Sequence, residues 1–277
     1  MEFWTDPLAL VVGACAVAIV LTYGVSLITR NYSQVDRLWS VLPVLYVAVF
    51  AADLGFSDTR LNIMAVLVAA WGARLTFNFW RKGGYARGGE DYRWPLLRER
   101  MGARKFQMFN ATFIAPYQNI LLLLISLPAD VAWRHAGASW GTVDLAATLV
   151  FCAALILETV ADQQQWRFHQ AKRAALAKGE RLALPFLTTG LFRYARHPNY
   201  FFEQLQWVCI YALGASAAGT VWNFGLVGPV LLVLLFQGSA AFTEKISLSK
   251  YPDYAGYQRT TSRQLPLLPR TPKTAAG

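Results

Sequence analysis

The chain has 277 residues, of which 55% are hydrophobic and only 15% charged, with 10 Trp and a formal net charge of +10. Soluble domains carry roughly a quarter charged residues, so a soluble enzyme is excluded. So is a nucleic-acid binder, which would need a basic patch on a soluble fold. The composition calls for one all-α integral membrane domain, because lipid obliges every backbone polar group to be satisfied within helices.

Seven apolar segments stand out, at 8–28, 38–52, 61–80, 110–127, 142–161, 199–218 and 222–242. Several reach the roughly 20 residues that cross the hydrocarbon at 1.5 Å per residue. The first lacks the basic start of a signal peptide and no small-residue cleavage site follows it, so it is expected to be a retained span. Residues 1–265 are read as a single seven-helix domain and 266–277 as a C-terminal tail. Cys15, Cys152 and Cys209 lie far apart inside apolar segments. They read as small buried hydrophobes, and no metal site is expected.

Charge placement orients the spans. With seven crossings, one side receives 23 Lys/Arg and the other only Arg60 and Arg134, with Arg74 left inside a span. Cytoplasmic loops carry such an excess, which places the N-terminus outside and the C-terminus in the cytoplasm.

Topology does not require charges at helical spacing within the spans. In the third, Trp71, Arg74, Asn78 and Arg81 recur at i, i+3, i+7 and i+10 and share one face. An Arg inside a span either snorkels to the interface or faces a polar cavity. The shared face favours the cavity. Next comes "GGYARGGEDYRW", in which four glycines accompany Glu90, Asp91 and Arg93. It reads equally as a linker or as a loop that brings backbone N–H groups to a ligand. It is not a dinucleotide fingerprint, since no strand precedes it and its glycines are spaced wrongly.

The fifth span ends in "LETVADQQQWRFHQ", with Glu158, Asp162 and Gln165 on one face. A solvated exit accounts for the last two. Glu158 lies a turn deeper, where a carboxylate needs a partner or a ligand. The sixth span opens with "LFRYARHPNYFFEQLQW". Pro198 suits a first helical turn, and Asn199, Glu203 and Gln206 then recur at i, i+4 and i+7. Arg193, Arg196 and His197 precede a helix N-terminus that already favours anions. Cations there oppose the dipole, so helix stability does not explain them, whereas an anionic ligand such as phosphate does. After the seventh span come Tyr251, Tyr254, Tyr257, Arg259 and Arg263. These read either as an interfacial aromatic belt or as a lid over a cofactor. Together the cytoplasmic ends of spans three, five, six and seven suggest one arginine-rich cavity for a polyanionic cofactor, with an apolar substrate entering from lipid.

"LFRYARHPNYFFEQLQW", with "WGARLTFNFW", "GGEDYRW" and the Tyr/Pro-rich tail, closely resembles the membrane steroid 5α-reductase family and the related sterol C14/C24-type reductases. The resemblance runs from Trp71 onward, about three-quarters of the chain. It implies a seven-helix reductase that uses NADPH to saturate a carbon–carbon double bond conjugated to a ketone, as in a 3-oxo-Δ4-steroid, giving the 5α-reduced ketone. Asn199 and Glu203 match residues that hold the nicotinamide carboxamide region. Asp162, Glu90, Asp91, Arg93, Arg193, Arg196, His197, Tyr254 and Arg259 fall in segments around the ribose and phosphates. Arg74, Asn78 and Glu158 complete the expected cofactor set. The implied partners are a steroid or sterol-like lipid and membrane lipids, and the oligomeric state stays open, with a monomer compatible. The implied location is a multi-pass protein, of the inner membrane if bacterial, with its cofactor site facing the cytoplasm.

The chain departs from this family at one point. Animal members bond the substrate ketone with a Gln-Glu pair in the second span and a Tyr in the third. Here Ser40-Val41 and Trp71 stand at those positions. Asp36 is the nearest acid, and with Trp71 it is the candidate donor to the ketone. An interfacial Asp36 paired with Arg37 is the plain alternative. Isoprenylcysteine carboxyl methyltransferases share a similar "RHPxY" segment and bind S-adenosylmethionine, which makes them the competing class. The in-membrane Arg74 face and the supply of arginines for phosphates favour the reductase. A non-enzymatic sterol-binding protein or transporter predicts no cofactor and leaves the Arg/Asn/Glu faces unexplained, and the sequence shows neither the broken-helix pairs nor the repeats of a transporter.

Overall fold

The computed structural model describes residues 6–180 and 184–270. The first five residues of the chain and the far end of the expected tail, 271–277, lie outside them. The described residues form helices and loops without a named strand, and only an isolated bridge joins Ala195 and Ser262. Six helical stretches are long and apolar enough to cross a membrane: Pro7–Thr29, Gln34–Asp53, Thr59–Arg81, Ala103–Arg134, Thr142–Ala177 and Phe224–Lys250. This is the length and composition of a multi-pass membrane protein, and it agrees with the expected class. Helix Pro198–Ala218, the sixth segment marked in the sequence, is 21 residues long but does not join that set. Asn199, Glu203, Gln204 and Gln206 in its first turns hold its hydropathy down.

The sequence explains where the helices begin and bend. In α1 (Pro7–Thr29) the Asp6 side chain accepts from Leu8 N and Pro7 occupies the first turn, which satisfies one of the orphan N–H groups there. Asp58 caps α4 (Thr59–Arg81) in the same way. The second span, expected as one run from 38 to 52, is broken into α2 (Gln34–Leu38) and α3 (Leu42–Asp53). Pro43 lies in the first turn of α3, where its ring starts a helix instead of continuing one. The fourth is longer than expected: α5 (Arg93–Met101) precedes α6 (Ala103–Phe109), a π-helix (Asn110–Tyr117) containing Pro116, and α7 (Gln118–Arg134). Pro116 has no N–H for the ladder, and a widened turn is one way a helix absorbs that loss. The remaining helices are α8 (Thr142–Ala177), α9 (Pro198–Ala218), α10 (Val227–Lys250) and α11 (Tyr254–Thr260).

The chain divides into two compact units, Met1–Leu149 with Val208–Leu231 and Val150–Trp207 with Leu232–Gly277. In the first, α3 packs on α4 and α7, and α1 packs on α7 and the π-helix. Tyr46, Phe50, Leu61, Met64, Trp71 and Leu122 fill the space between them. Gly72 is where α4 meets the break before α3, since a Cβ there would stand 2.6 Å from Ser40 O. Val17, Val20, Leu21 and Ile28 of α1 are exposed, as residues facing lipid should be. Arg60 and Asp144 form a buried pair at 2.8 Å, with Ser139 O, Gly141 N and Ser216 Oγ completing their hydrogen bonds. In the second unit Phe151, Phe192, Trp207 and Leu232 are buried.

Candidate functional site

The first turns of α9 belong to the second unit, and the sequence there sets up a carboxylate problem. Glu158 of α8 is almost fully buried, where an unmet charge is expensive. Gln206 answers it, donating Nε2 to Glu158 Oε2 at 2.6 Å and to Phe202 O at 3.1 Å. This commits both amide hydrogens. Gln206 Oε1 is then left buried with no donor. Asn199 and Glu203 share that helix face at i−7 and i−3. Asn199 is half-buried, and Glu203 and Asp162 are buried.

Just before α9, Arg196 grips Glu244 of α10 through Nε–Oε1 at 2.6 Å and Nη2–Oε2 at 3.2 Å. Its Nη1 donates to Gln258 O at 3.2 Å and to Thr261 O. Glu244 also takes His197 Nε2 at 3.2 Å, Gln258 Nε2 at 2.8 Å and Arg263 Nε at 3.6 Å. Arg196 and His197 were expected at phosphates, and the structure gives both a carboxylate within the protein. Sequence reasoning missed Glu244. Its signal was a lone acid late in an apolar segment, "GSAAFTEK", of the same kind that singled out Glu158.

The tail docks on this entrance. Arg196 N and His197 N donate to Ser262 O and Arg263 O at 2.8 and 2.9 Å, and Tyr257 Oη donates to Phe192 O. Tyr254, Tyr257 and Phe186 pack as an aromatic cluster with ring centroids 5.0 to 5.8 Å apart. Burial pushes the phenol pKa values of Tyr254 and Tyr257 up, and the nearby Glu244 charge adds to the rise at Tyr254. The tail thus lies against the residues that open α9. Beside it lies an open cavity of about 330 Å³, lined by Leu184, Phe186, Thr188, Arg193, Asp253, Tyr257, Thr260, Thr261 and Pro269. Arg193 and Arg259 are exposed. An exposed guanidinium beside threonine hydroxyls and aromatic rings suits a phosphorylated, ring-bearing ligand.

The first unit holds the other expected residues. On α4, Trp71 and Asn78 are buried and Arg74 and Arg81 half-buried, while Ala73, Phe77 and Trp80 are exposed. The spacing of those four thus marks the inward face. The glycine loop is pinned to the stretch before α2. Tyr32 N donates to Glu90 Oε1 at 2.8 Å, Asp91 N donates to Ser33 Oγ at 2.8 Å, and Asn31 Nδ2 donates to Gly89 O at 2.8 Å. Asp91 also holds Arg93 in an ion pair at 2.8 Å. Asp36 Oδ2 accepts from Trp94 Nε1 at 2.9 Å. Arg37 turns to Gln34 Oε1, Gly84 O and Gly89 O. The pairing of Asp36 with Arg37 is therefore corrected: the partner of Asp36 is an indole 58 residues on. Among the described residues no group of three or more His, Cys, Asp or Glu is placed to hold a metal ion.

Residues 22–261 match a family described as a protein of unknown function (DUF1295). A protein of Schizosaccharomyces pombe described as uncharacterized is 39% identical over 260 residues, covering 89% of this chain and 76% of that protein. No solved structure matches the chain.

Proposed function

The chain belongs to the DUF1295 family, and we propose that it acts as a membrane oxidoreductase that uses NADPH to saturate the double bond of an enone in a steroid or sterol-like lipid. The reaction is that of a 3-oxo-Δ4-steroid becoming its 5α-reduced ketone. The proposal includes seven crossings, with α9 as the sixth, the N-terminus outside, and the cofactor residues at the cytoplasmic ends.

Gln206 Oε1 carries this reading. A buried carbonyl oxygen without a donor costs about 1–3 kcal/mol, and here it shares a face with Asn199 and Glu203. The amide N–H2 of a nicotinamide carboxamide matches that demand, with Asn199 and Glu203 as further partners. Arg193 and Arg259, exposed fork donors, suit the phosphates that S-adenosylmethionine lacks. The residues present therefore fit NADPH.

When bound, NADPH would supply a hydride to the β-carbon of the enone, and a proton from water would then be taken up at the α-carbon to complete the saturated ketone. The protein's own task is to fix the two reactants, keep the site dry and hold a hydrogen-bond donor where the ketone oxygen gathers negative charge. We assign that donor to Asp36 or Trp71. The α9 face orients the amide, and the buried Glu158 keeps Gln206 in the rotamer that presents Oε1.

Binding of NADPH, NADH and S-adenosylmethionine to the detergent-solubilised protein tests the reading. NADPH should bind tighter than NADH, and Arg193→Ala should narrow the difference. Binding of S-adenosylmethionine without NADP(H) would overturn the reductase and install the methyltransferase.

A further inference from the structure

The strap that follows α11 has a feature that cofactor binding does not require. Gln264 Oε1 accepts from Gln237 Nε2 at 2.8 Å and from Gln204 Nε2 at 3.3 Å, and Gln264 Nε2 donates to Phe236 O at 3.2 Å. Gln237 lies towards the C-terminal end of the apolar segment 222–242, within the helical stretch Phe224–Lys250. At 1.5 Å per residue it lies about 20 Å from the end of α10, and about 10 Å from Glu244. To reach it, the chain leaving Lys250 has to turn back along α10, so Gln264 sits at the depth of the apolar span.

Non-helical backbone is tolerated at that depth only where its polar groups are satisfied by protein. The strap meets the condition in its described hydrogen bonds. Ser262 O and Arg263 O accept from the residues that open α9, Leu267 N donates to Tyr194 O at 3.0 Å, and Arg270 N donates to Thr260 O at 2.7 Å. Pro266 and Pro269 bring no N–H at all. Held this way, the strap cannot bury its own leucines. Leu265, Leu267 and Leu268 are 52%, 48% and 83% exposed. Arg270, also exposed, follows them.

We infer that Leu265–Leu268 is a lipid-contacting segment, its leucines set among acyl chains and Arg270 at the phosphates of the headgroups. Apolar side chains beside an exposed guanidinium fit a bilayer boundary, where long basic residues reach the headgroups. The same surface turned to water would leave an ordered leucine patch unpaired. The inference does not depend on the cofactor.

A nitroxide at the strap tests it. In full-length protein reconstituted into nanodiscs, Leu268→Cys and Leu265→Cys are each spin-labelled in a Cys152→Ser background, since Cys15 and Cys209 are buried. Collision with oxygen, which concentrates in hydrocarbon, is compared with collision with a water-soluble nickel chelate. An oxygen-to-nickel accessibility ratio above one at both positions is the expected result. A ratio below one, with nickel reaching the label, overturns the inference. Low collision with both reagents also overturns it, by showing the strap covered by protein, whether a second copy or another chain.

Discussion

Glu244 holds Arg196 through both carboxylate oxygens, at 2.6 and 3.2 Å, and both side chains are almost completely buried. A guanidinium and a carboxylate in this fork are matched in geometry as well as charge. The pair joins α10 to the residue that precedes α9. Through Gln258 O and Thr261 O it also fixes the tail. Removing one partner of a buried pair costs about 3–5 kcal/mol, since the other is left charged without compensation. Glu244→Ala should therefore lower thermal stability strongly. Arg196→Lys keeps the charge but not the fork, and should lose less. The measurement is thermal unfolding in detergent, and a Glu244→Ala protein as stable as wild type would refute the structural role.

Asn199→Ala and Glu203→Gln should each weaken NADPH binding while leaving a folded protein. Gln206→Leu removes the acceptor and also one hydrogen bond of the buried Glu158, so it should lose stability as well as affinity. Equilibrium binding beside unfolding curves separates the two effects. Wild-type affinity in Asn199→Ala or Glu203→Gln would remove that residue from the site.

Asp36 is the test of the donor. Loss of one transition-state donor typically costs roughly 100- to 1,000-fold in turnover, so Asp36→Ala should lose turnover with NADPH affinity kept. Asp36→Asn can still accept from the Trp94 indole and donate from its amide, and should retain more activity. Steady-state rates on an enone decide it. Wild-type turnover in both variants would leave Asp36 as the anchor of Trp94 alone and move the role to Trp71.

Alkaline pH probes the tail. A phenol whose folded pKa is raised contributes stability that is complete below the ordinary tyrosine value of roughly 10 and is lost as pH rises through the folded value. Tyr254 and Tyr257 both carry that sign. Unfolding should therefore ease above pH 10. Tyr257→Phe should give up about 1 kcal/mol at neutral pH through its bond to Phe192 O and soften the alkaline loss. An unchanged alkaline limb in that variant would contradict the assignment.

The sequence by itself determined the helices and their polar faces. The spans around 8–28 and 61–80 are recovered with ends displaced by one or two residues, and that at 222–242 runs on to Lys250, because a long apolar run in lipid has one way to satisfy its backbone. Trp71, Arg74, Asn78 and Arg81 line the inward face because helical periodicity is a local property. The break at Trp39–Val41 and the π-turn before Gln118 did not follow from hydropathy, which reads how apolar a stretch is and not how its neighbours pack. Only the tertiary structure decided who meets the buried charges. Sequence showed that Glu158 and Arg196 were costly where they stood and left Asp36 between a donor and an interfacial charge. Their partners, Gln206, Glu244 and Trp94, lie 48, 48 and 58 residues away. A hydrogen bond or ion pair forms between groups a few ångströms apart in space, whatever their separation along the chain, so the cost of a buried charge is legible locally while the group that offsets it is not.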